Sequence, residues 1–313
     1  MLTRDPANAS YRLVTSKDAQ LIIVPKNPLK APKIFAIHDL ALESVGFNRT
    51  MPFVATLTNA IPKGEIATKG SFGPWIKDDP GQTPVSGRYS FNYADLNTIK
   101  GIAGILQSVG EFSGHLEKID VRGTTSTSDF SIDVGGTPMP LTTTFHAVVD
   151  GTNGNTYLKQ VDAKLDETAI SAAGSIDSEP GVKGRTVKLD VKITEGRIQD
   201  VLKLAVRAKK PVMVGRIALQ ALLVLPPGGA RVIDRLQLDG RFALERTQFS
   251  DPAVQEKLAE LSRRAQGKKP DEPIGRIASN MRGRFRLKGG TIRFAPVAFD
   301  LPGPKSSSRA RMD

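Results

Sequence analysis

A five-residue phrase, in which Gly-Arg is followed by apolar residues two positions apart, recurs along this chain. It reads GRYSF from Gly87, GRIAL from Gly215, GRFAL from Gly240 and GRFRL from Gly283, and a looser form, GRTVKL, begins at Gly184. Residues two positions apart share one face of a β-strand. The phrase therefore predicts a chain that repeatedly builds strands with one apolar side. This pattern favours a long apolar surface over a compact catalytic pocket.

One-sided strands are the dominant pattern. In RTVKLDVKI, which begins at Arg185, the charged residues Lys188, Asp190 and Lys192 alternate with four apolar residues. Such alternation is typical of an antiparallel strand with one dry and one wet side. Asn-Gly and Gly-Gly pairs predict turns, including hairpins at GTNGN and at Gly289. We therefore expect a mainly β fold, in which an elongated and curved antiparallel sheet leaves a partly open apolar groove.

Three short helices are expected to cover parts of this sheet. Apolar residues recur at helical spacing in Asp95–Val109 and in Gly196–Ala208. The third helix begins at Asp251, a capping residue that is followed by proline. Gly101 and Gly104 weaken the first prediction, because a glycine inside a helix costs about 1 kcal/mol relative to alanine.

Positive charge is concentrated in the second half of the chain. Residues 182–313 hold 28 of the 44 Lys and Arg residues and 13 of the 32 Asp and Glu residues. We expect residues 1–181 to form a first β-rich part of the sheet with near-neutral charge. Residues 182–303 are expected to form a second, basic β-rich part with two helices, and residues 304–313 a disordered polar tail.

The excess of positive charge favours an anionic partner such as a membrane surface, although a solvated, solubilising face has the same composition. Nucleic acid is not favoured, because no recognition helix or aromatic stacking motif accompanies the basic residues. The expected contacts with an anionic surface cluster at helix ends and in a loop: Arg207, Lys209, Lys210, Arg263, Arg264, Lys268 and Lys269.

No catalytic or metal-binding constellation is visible in the sequence. The chain has no cysteine, and His38, His115 and His146 each stand alone in strand-like sequence, without a partner at the spacing of a metal site or a catalytic pair. The loop that begins at Asp150 lacks the ligand spacing and the final glutamate of a calcium loop. We therefore expect no enzyme, no metal and no other cofactor.

Many one-sided strands leave an apolar face that something must cover. A second sheet could cover it, as in a sandwich, or acyl chains could lie against it in a groove. For any single residue, an ordinary core position remains an open interpretation. The candidates for a lipid groove are the alternating apolar residues of the second half: Val187, Leu189, Val191, Ile193, Ile217, Leu219, Leu236, Leu238, Phe242, Leu244, Phe285, Leu287, Ile292 and Phe294.

These segments resemble the AsmA-like family of bacterial envelope proteins. The resemblance is carried by SFGPWIKDDPGQTPVSGRYSFNYADLNTIKGIAGILQSVGEFSGHLEKIDVRGTTSTSDFSIDV, PLTTTFHAVVDGTNGNTYL, GVKGRTVKLDVKITEGRIQDVLKLAVRAKKPVMVGRIALQALLVLPPG, GRFALERTQFSDPAVQEKLAELSRRAQGK and RGRFRLKGGTIRFAPVAFDLPG, which cover most of Ser71–Gly303. Members are similar in having an N-terminal membrane anchor and a long, twisted antiparallel sheet folded into an open groove, and they look like bacterial relatives of the chorein-type bridge proteins. The resemblance implies lipid transfer between the inner and outer membranes, or maintenance of the outer membrane, and it implies no catalytic residues.

The same resemblance implies a place in the periplasm or cell envelope, with an inner-membrane anchor in the full-length form. No apolar stretch here approaches the roughly 20 residues that span a bilayer, and both ends of the sequence are polar. We expect an interior or truncated segment of such a protein, with phospholipid or another acyl-chain lipid and a membrane surface as partners. The alternative is an envelope scaffold that binds a protein or a glycan through a flat polar surface and conducts no lipid.

Overall fold

The computed structural model describes residues 10–23, 33–179, 181–267, 269, 278–300 and 310–312. Within these ranges the chain forms one long, open antiparallel sheet with three helices, so the predicted fold class is confirmed. The strands are β1 (Tyr11–Ile23), β2 (Lys33–Val45), β3 (Met51–Ala60), β4 (Lys63–Phe72), β5 (Pro84–Asp95), β6 (Ile102–Ala103), β7 (Ile105–His115), β8 (Lys118–Ile132), β9 (Met139–Val149), β10 (Thr156–Leu165), β11 (Thr168–Asp177), β12 (Thr186–Arg197), β13 (Met213–Leu225), β14 (Gln237–Phe249), β15 (Ser279–Lys288), β16 (Thr291–Phe294), β17 (Val297–Asp300) and β18 (Ala310–Met312).

Neighbours along the chain are neighbours in the sheet almost throughout. Each strand from β1 to β5 pairs with the next, β5 pairs with β7, and the ladder then continues strand by strand to β15. The short β6 pairs with β8, both β16 and β17 pair with β15, and β18 pairs with β17. The sheet is thus an antiparallel meander that begins at β1.

The sheet is strongly curved, because connections that are far apart along the ladder touch each other. The amide of Val232, between β13 and β14, donates a hydrogen bond of 2.8 Å to the carbonyl of Lys100, between β5 and β7. A flat ladder would hold these connections more than about 30 Å apart, since neighbouring strands are about 4.8 Å apart. Register shifts beside Tyr93 and Arg246, which have φ of +54° and +51°, add local bends of the kind that β-bulges produce.

Two of the three predicted helices are present. Helix α3 (Pro252–Ala265) begins where predicted, and the Asp251 carboxylate accepts two backbone amides of its first turn, at 2.8 and 3.3 Å. Helix α1 (Ile198–Lys203) lies inside the predicted range Gly196–Ala208 but has only six residues. Helix α2 (Val232–Arg235) is not signalled by the sequence, because a single turn carries no periodic pattern.

The helix predicted for Asp95–Val109 is wrong. Asp95 does cap a turn, accepting a backbone amide at 2.9 Å, but this is a single 3-10 turn over Leu96–Thr98. Gly101 and Gly104 then take φ of +96° and +126°, which a right-handed helix does not allow. The apolar residues that follow are those of β7, which pairs with β5 and β8.

Both predicted hairpins are confirmed. GTNGN connects β9 to β10, and Gly289-Gly290, with φ of +59° and +70°, connects β15 to β16. Strands β11 and β12, which lie on the two sides of the predicted segment boundary near residue 181, pair with each other, so the sheet is continuous there. The predicted tail, 304–313, lies outside the described residues except for 310–312, which form β18. No helix in the described ranges has the length and apolar character needed to cross a bilayer.

Candidate functional site

The register of the strands collects apolar side chains on one side of the sheet. Leu189 of β12 lies opposite Leu223 of β13, which in turn faces Leu238 of β14. The same row continues through Leu287 of β15 to Ile292 of β16. Cross-strand partners point to the same side of a sheet, so these residues form a continuous row, with parallel rows two residues away along each strand. This side of the sheet is called the apolar face below.

All of the groove candidates except Leu236 lie on the apolar face. Leu236 precedes β14, at the C-terminal end of α2. At the β16 edge, the side chains of Ile292 and Phe294 are 49% and 57% exposed. The buried candidates are Ile193, Ile217, Leu244, Phe285 and Leu287. The half-buried candidates are Val187, Leu189, Val191, Leu219, Leu238 and Phe242.

The apolar face extends well beyond the residues that the sequence singles out. On β13 it includes Ala221, Leu223 and Leu225, while Leu222 points to the opposite side and is 48% exposed. Alternation cannot assign these faces, because every residue from 221 to 225 is apolar. Towards the first half of the sheet, the row that contains Val191 passes through Ala172, Val161, Phe145, Gly123, Gly110 and Tyr89.

Glycines on the apolar face make room for aromatic rings on the next strand. Gly87 lies opposite Phe112, and a Cβ atom on Gly87 would stand 2.7 Å from the Phe112 ring. Phe242 lies opposite Gly283 in the same way. In GRYSF, GRFAL and GRFRL the glycine and the apolar residues therefore point to the apolar face, and the arginine points to the other side. The repeated phrase thus gives one crowded side, which is the apolar face, and one charged side. The charged side, opposite the apolar face, is called the outer side below.

Helix α1 covers one part of the apolar face. Ile198 of the helix packs in a buried cluster with Ile193, Ile217 and Leu244. Beside it, the fully buried Asp200 carboxylate accepts a hydrogen bond of 2.9 Å from the Thr168 hydroxyl. The cluster makes this part of the face an ordinary core, whereas the rows towards the opposite ends of β12 and β13 are only half-buried.

The predicted anionic-surface contacts fall into two groups. Arg207, Lys209 and Lys210 are exposed beyond α1, in a segment whose end bonds to Ser250 at the start of α3. The other group begins in the last turn of that helix, which is about 20 Å long. In it Arg263 is half-buried, Arg264 pairs with Glu260 at 2.5 Å, Lys269 is exposed, and Lys268 lies outside the described residues.

The outer side of the first half carries mixed charges. The Asp120 carboxylate accepts a hydrogen bond of 2.7 Å from His146 Nε2 and one of 3.2 Å from Lys159 Nζ, and Arg122 Nε lies 3.5 Å away. The hydrogen bond from His146, helped by that from Lys159, lowers the pKa of Asp120 below its ordinary value. Among the described residues, no group of three or more His, Asp or Glu side chains is arranged to hold a metal ion.

The chemistry of the apolar face is that of a long hydrocarbon surface. Tyr89 supplies one of its polar atoms; its hydroxyl lies 3.1 Å from Ser108 Oγ, and burial raises the pKa of this phenol. Comparison with protein-family models, with curated proteins and with solved structures finds no match to this chain.

Proposed function

We propose that this chain is a non-enzymatic lipid-binding segment whose apolar face holds the acyl chains of phospholipids or related lipids. The observation that carries the proposal is the apolar face itself, whose rows of aliphatic and aromatic side chains, interspersed with glycines, follow the sheet from β5 to β16 and are half-buried over much of their length. The resemblance to AsmA-like proteins supports the wider role: transfer of lipid between the inner and outer membranes, or upkeep of the outer membrane, in the periplasm.

Hydrocarbon burial supplies the driving force. Each methylene group removed from water contributes about 0.8 kcal/mol, so an acyl chain needs no specific polar contact to remain on such a face. The rows run across the strands, at about 4.8 Å per strand, so the part of the ladder from β5 to β15 offers a path of roughly 40 Å. One leaflet of a bilayer core is about 15 Å thick, so the path exceeds the length of a single acyl chain and suits movement along the face.

An envelope scaffold without lipid transport is the competing function. It requires that the apolar face be covered by protein. Within the described residues, α1 packs on the apolar face and forms the buried cluster with Ile193 and Ile217. The row that contains Leu189, Leu223 and Leu238 is half-buried at these three residues, which favours lipid over a fully covered core.

Adjacent residues on β13 allow a face-specific test. Leu223 lies on the apolar face and Leu222 on the outer side, so a photoreactive benzoyl-phenylalanine at each position samples the two sides of one strand. We expect light to cross-link phospholipid to position 223 in cells and not to position 222. Equal labelling at both positions would show non-specific contact with lipid. No labelling at position 223, together with no co-purifying lipid by native mass spectrometry, would favour the scaffold.

A further inference from the structure

The outer side of β14, β15 and β16 carries a dense group of arginines. Arg241 of β14 lies directly opposite Arg284 of β15, and Arg286 of β15 lies directly opposite Arg293 of β16. Arg282 is next along β15 on the same side. All five side chains are exposed. These five residues are called the arginine patch.

Little of this charge is neutralised by the protein. Arg286 pairs with Asp239 at 2.6 Å, and Arg241 donates to the side-chain oxygen of Gln220, which is neutral, at 2.7 Å. In the part of the chain that the structure describes, Arg282, Arg284 and Arg293 have no carboxylate within 4.0 Å. The patch is therefore a set of guanidinium groups with a single ion pair.

The first half of the sheet contains a related row in which a carboxylate lies between two arginines. Arg88 occupies the same place in GRYSF as Arg241 in GRFAL, but it lies opposite Glu111, and Glu111 lies opposite Arg122. On its other side Arg88 lies opposite Lys69, so that row holds three cations with one carboxylate among them. Like charges directly opposite each other destabilise a pair of strands, and in the register around Arg241 and Arg284 no carboxylate lies directly opposite either arginine.

We propose that the arginine patch docks on an anionic membrane surface, with its guanidinium groups on the phosphates of phospholipid headgroups. Arginine presents a planar fork of donors that matches phosphate oxygens, and several forks on one sheet surface can bind several headgroups at once. The proposal does not depend on lipid binding by the apolar face, because the patch lies on the opposite side of the sheet.

The same edge of the sheet also offers apolar contacts. On the other side of β16, Ile292 and Phe294 are 49% and 57% exposed. A cationic side beside exposed apolar residues fits the boundary between headgroups and acyl chains, where basic and apolar side chains both find partners. Single-stranded nucleic acid would need an aromatic stacking platform on the same side as the cations, whereas Phe294 lies on the opposite side of β16 from Arg293.

The test measures binding of the full chain to vesicles of phosphatidylglycerol mixed with phosphatidylcholine, and to pure phosphatidylcholine vesicles. Two double variants remove the same charge: Arg241→Gln with Arg284→Gln, and the control Arg88→Gln with Arg122→Gln. Each basic residue near an anionic surface contributes about 1 kcal/mol, or roughly fivefold in affinity, so the patch variant should bind about 25-fold more weakly. The control should bind as the parent does, and added salt should weaken binding of the parent.

Other outcomes would overturn the proposal. Unchanged binding by the patch variant, or an equal loss in the control, would show that the patch does not dock. Equal binding to pure phosphatidylcholine would exclude the phosphate charge as the cause. A third variant, Lys209→Gln with Lys210→Gln, tests the sequence-predicted contacts; a loss confined to it would move docking to the segment beyond α1. Displacement of the chain from vesicles only by nucleic acid, and not by soluble glycerophosphate, would identify a different anionic partner.

Discussion

Gly283 lies directly opposite Phe242, and the position of a Cβ atom on Gly283 is 3.3 Å from the Phe242 ring. The Phe242 ring therefore occupies space that a side chain at position 283 would otherwise fill. Gly240 lies opposite Phe285 on the same two strands, but the nearest atoms to a Cβ on Gly240 belong to Gln220 and Ala221 of β13. Both glycines allow close packing on a curved, crowded face.

Alanine substitutions at three glycines should destabilise in a graded order. A Cβ on Gly240 would lie 2.5 Å from the backbone oxygen of Gln220 and 2.7 Å from the Cβ of Ala221, so Gly240→Ala should cost about 1–3 kcal/mol of unfolding free energy. Gly283→Ala should cost less, since an aromatic ring can yield by a few tenths of an ångström. Gly229 has no heavy atom within 4 Å, so Gly229→Ala is the control. Urea denaturation measures all three, and equal effects would refute crowding as the reason for the glycines.

The hydrogen bond from the Val232 amide to the Lys100 carbonyl should be sensitive to substitution of Gly101. This residue has φ of +96°, and a Cβ atom on it would lie 2.8 Å from the amide nitrogen of Val232. Gly135 has a similar φ of +89° with no atom within 4 Å. Both alanine variants share the cost of a left-handed backbone, about 1–2 kcal/mol, so the difference between them isolates the contact. We expect faster hydrogen exchange at the Val232 amide in Gly101→Ala only; the same exchange rate in both variants would contradict this.

The buried Asp200 should be coupled to Thr168. Replacing Asp200 by alanine leaves the Thr168 hydroxyl only its longer bond of 3.4 Å to the carbonyl of Arg197 and removes the acceptor of the Glu167 amide, so the loss should be about 1–3 kcal/mol. Thr168→Val removes the donor, so the double variant should lose less stability than the sum of the two single variants. Chemical denaturation of the four proteins gives the coupling energy. Strict additivity would mean that the hydrogen bond contributes nothing to stability.

The Asp120 cluster should give a small acid-dependent loss of stability. The pKa of Asp120 is lowered in the folded state from its ordinary value of 3.8, chiefly by the hydrogen bond from His146. The stabilisation is therefore present above pH 3.8 and is lost as the pH falls through the lower folded-state pKa. Because the carboxylate is partly exposed, the contribution should be under about 1 kcal/mol. Thermal unfolding from pH 6 down to the acid limb should show a shallower decline for Asp120→Asn; parallel curves would exclude the cluster as a cause.

The sequence predicts the strands of the second half well, because clean alternation in RTVKLDVKI requires one dry and one wet side. It also predicts the start of α3, since the Asp251 cap acts on amides only two and three residues away. It fails at Asp95–Val109, where apolar spacing is compatible with a helix. There, positive φ at Gly101 and Gly104 and pairing of β7 with strands on both sides override the local periodicity.

For the candidate site, too, the sequence predicts some features and leaves others open. Local alternation identifies Leu189 and Leu238 as apolar-face residues, but it cannot say that Leu223 joins them and Leu222 does not. Nor can the sequence show that Arg241 meets Arg284 while Arg88 meets Glu111, although the motifs look alike. Such pairings depend on the register of strands that can be 40 residues apart in the chain.

By itself, the sequence determined that this chain builds one-sided antiparallel strands, because side-chain direction along a strand depends only on the two-residue repeat of the backbone. It determined as well that each of the four Gly-Arg phrases places its arginine on the side of the strand opposite to its alternating apolar residues. Only the tertiary structure decided which rows join into one apolar face, which charges meet across strands, and how far the sheet curves. Those properties arise from cross-strand register, bulges and contacts between distant connections, and none of them is encoded in a local pattern.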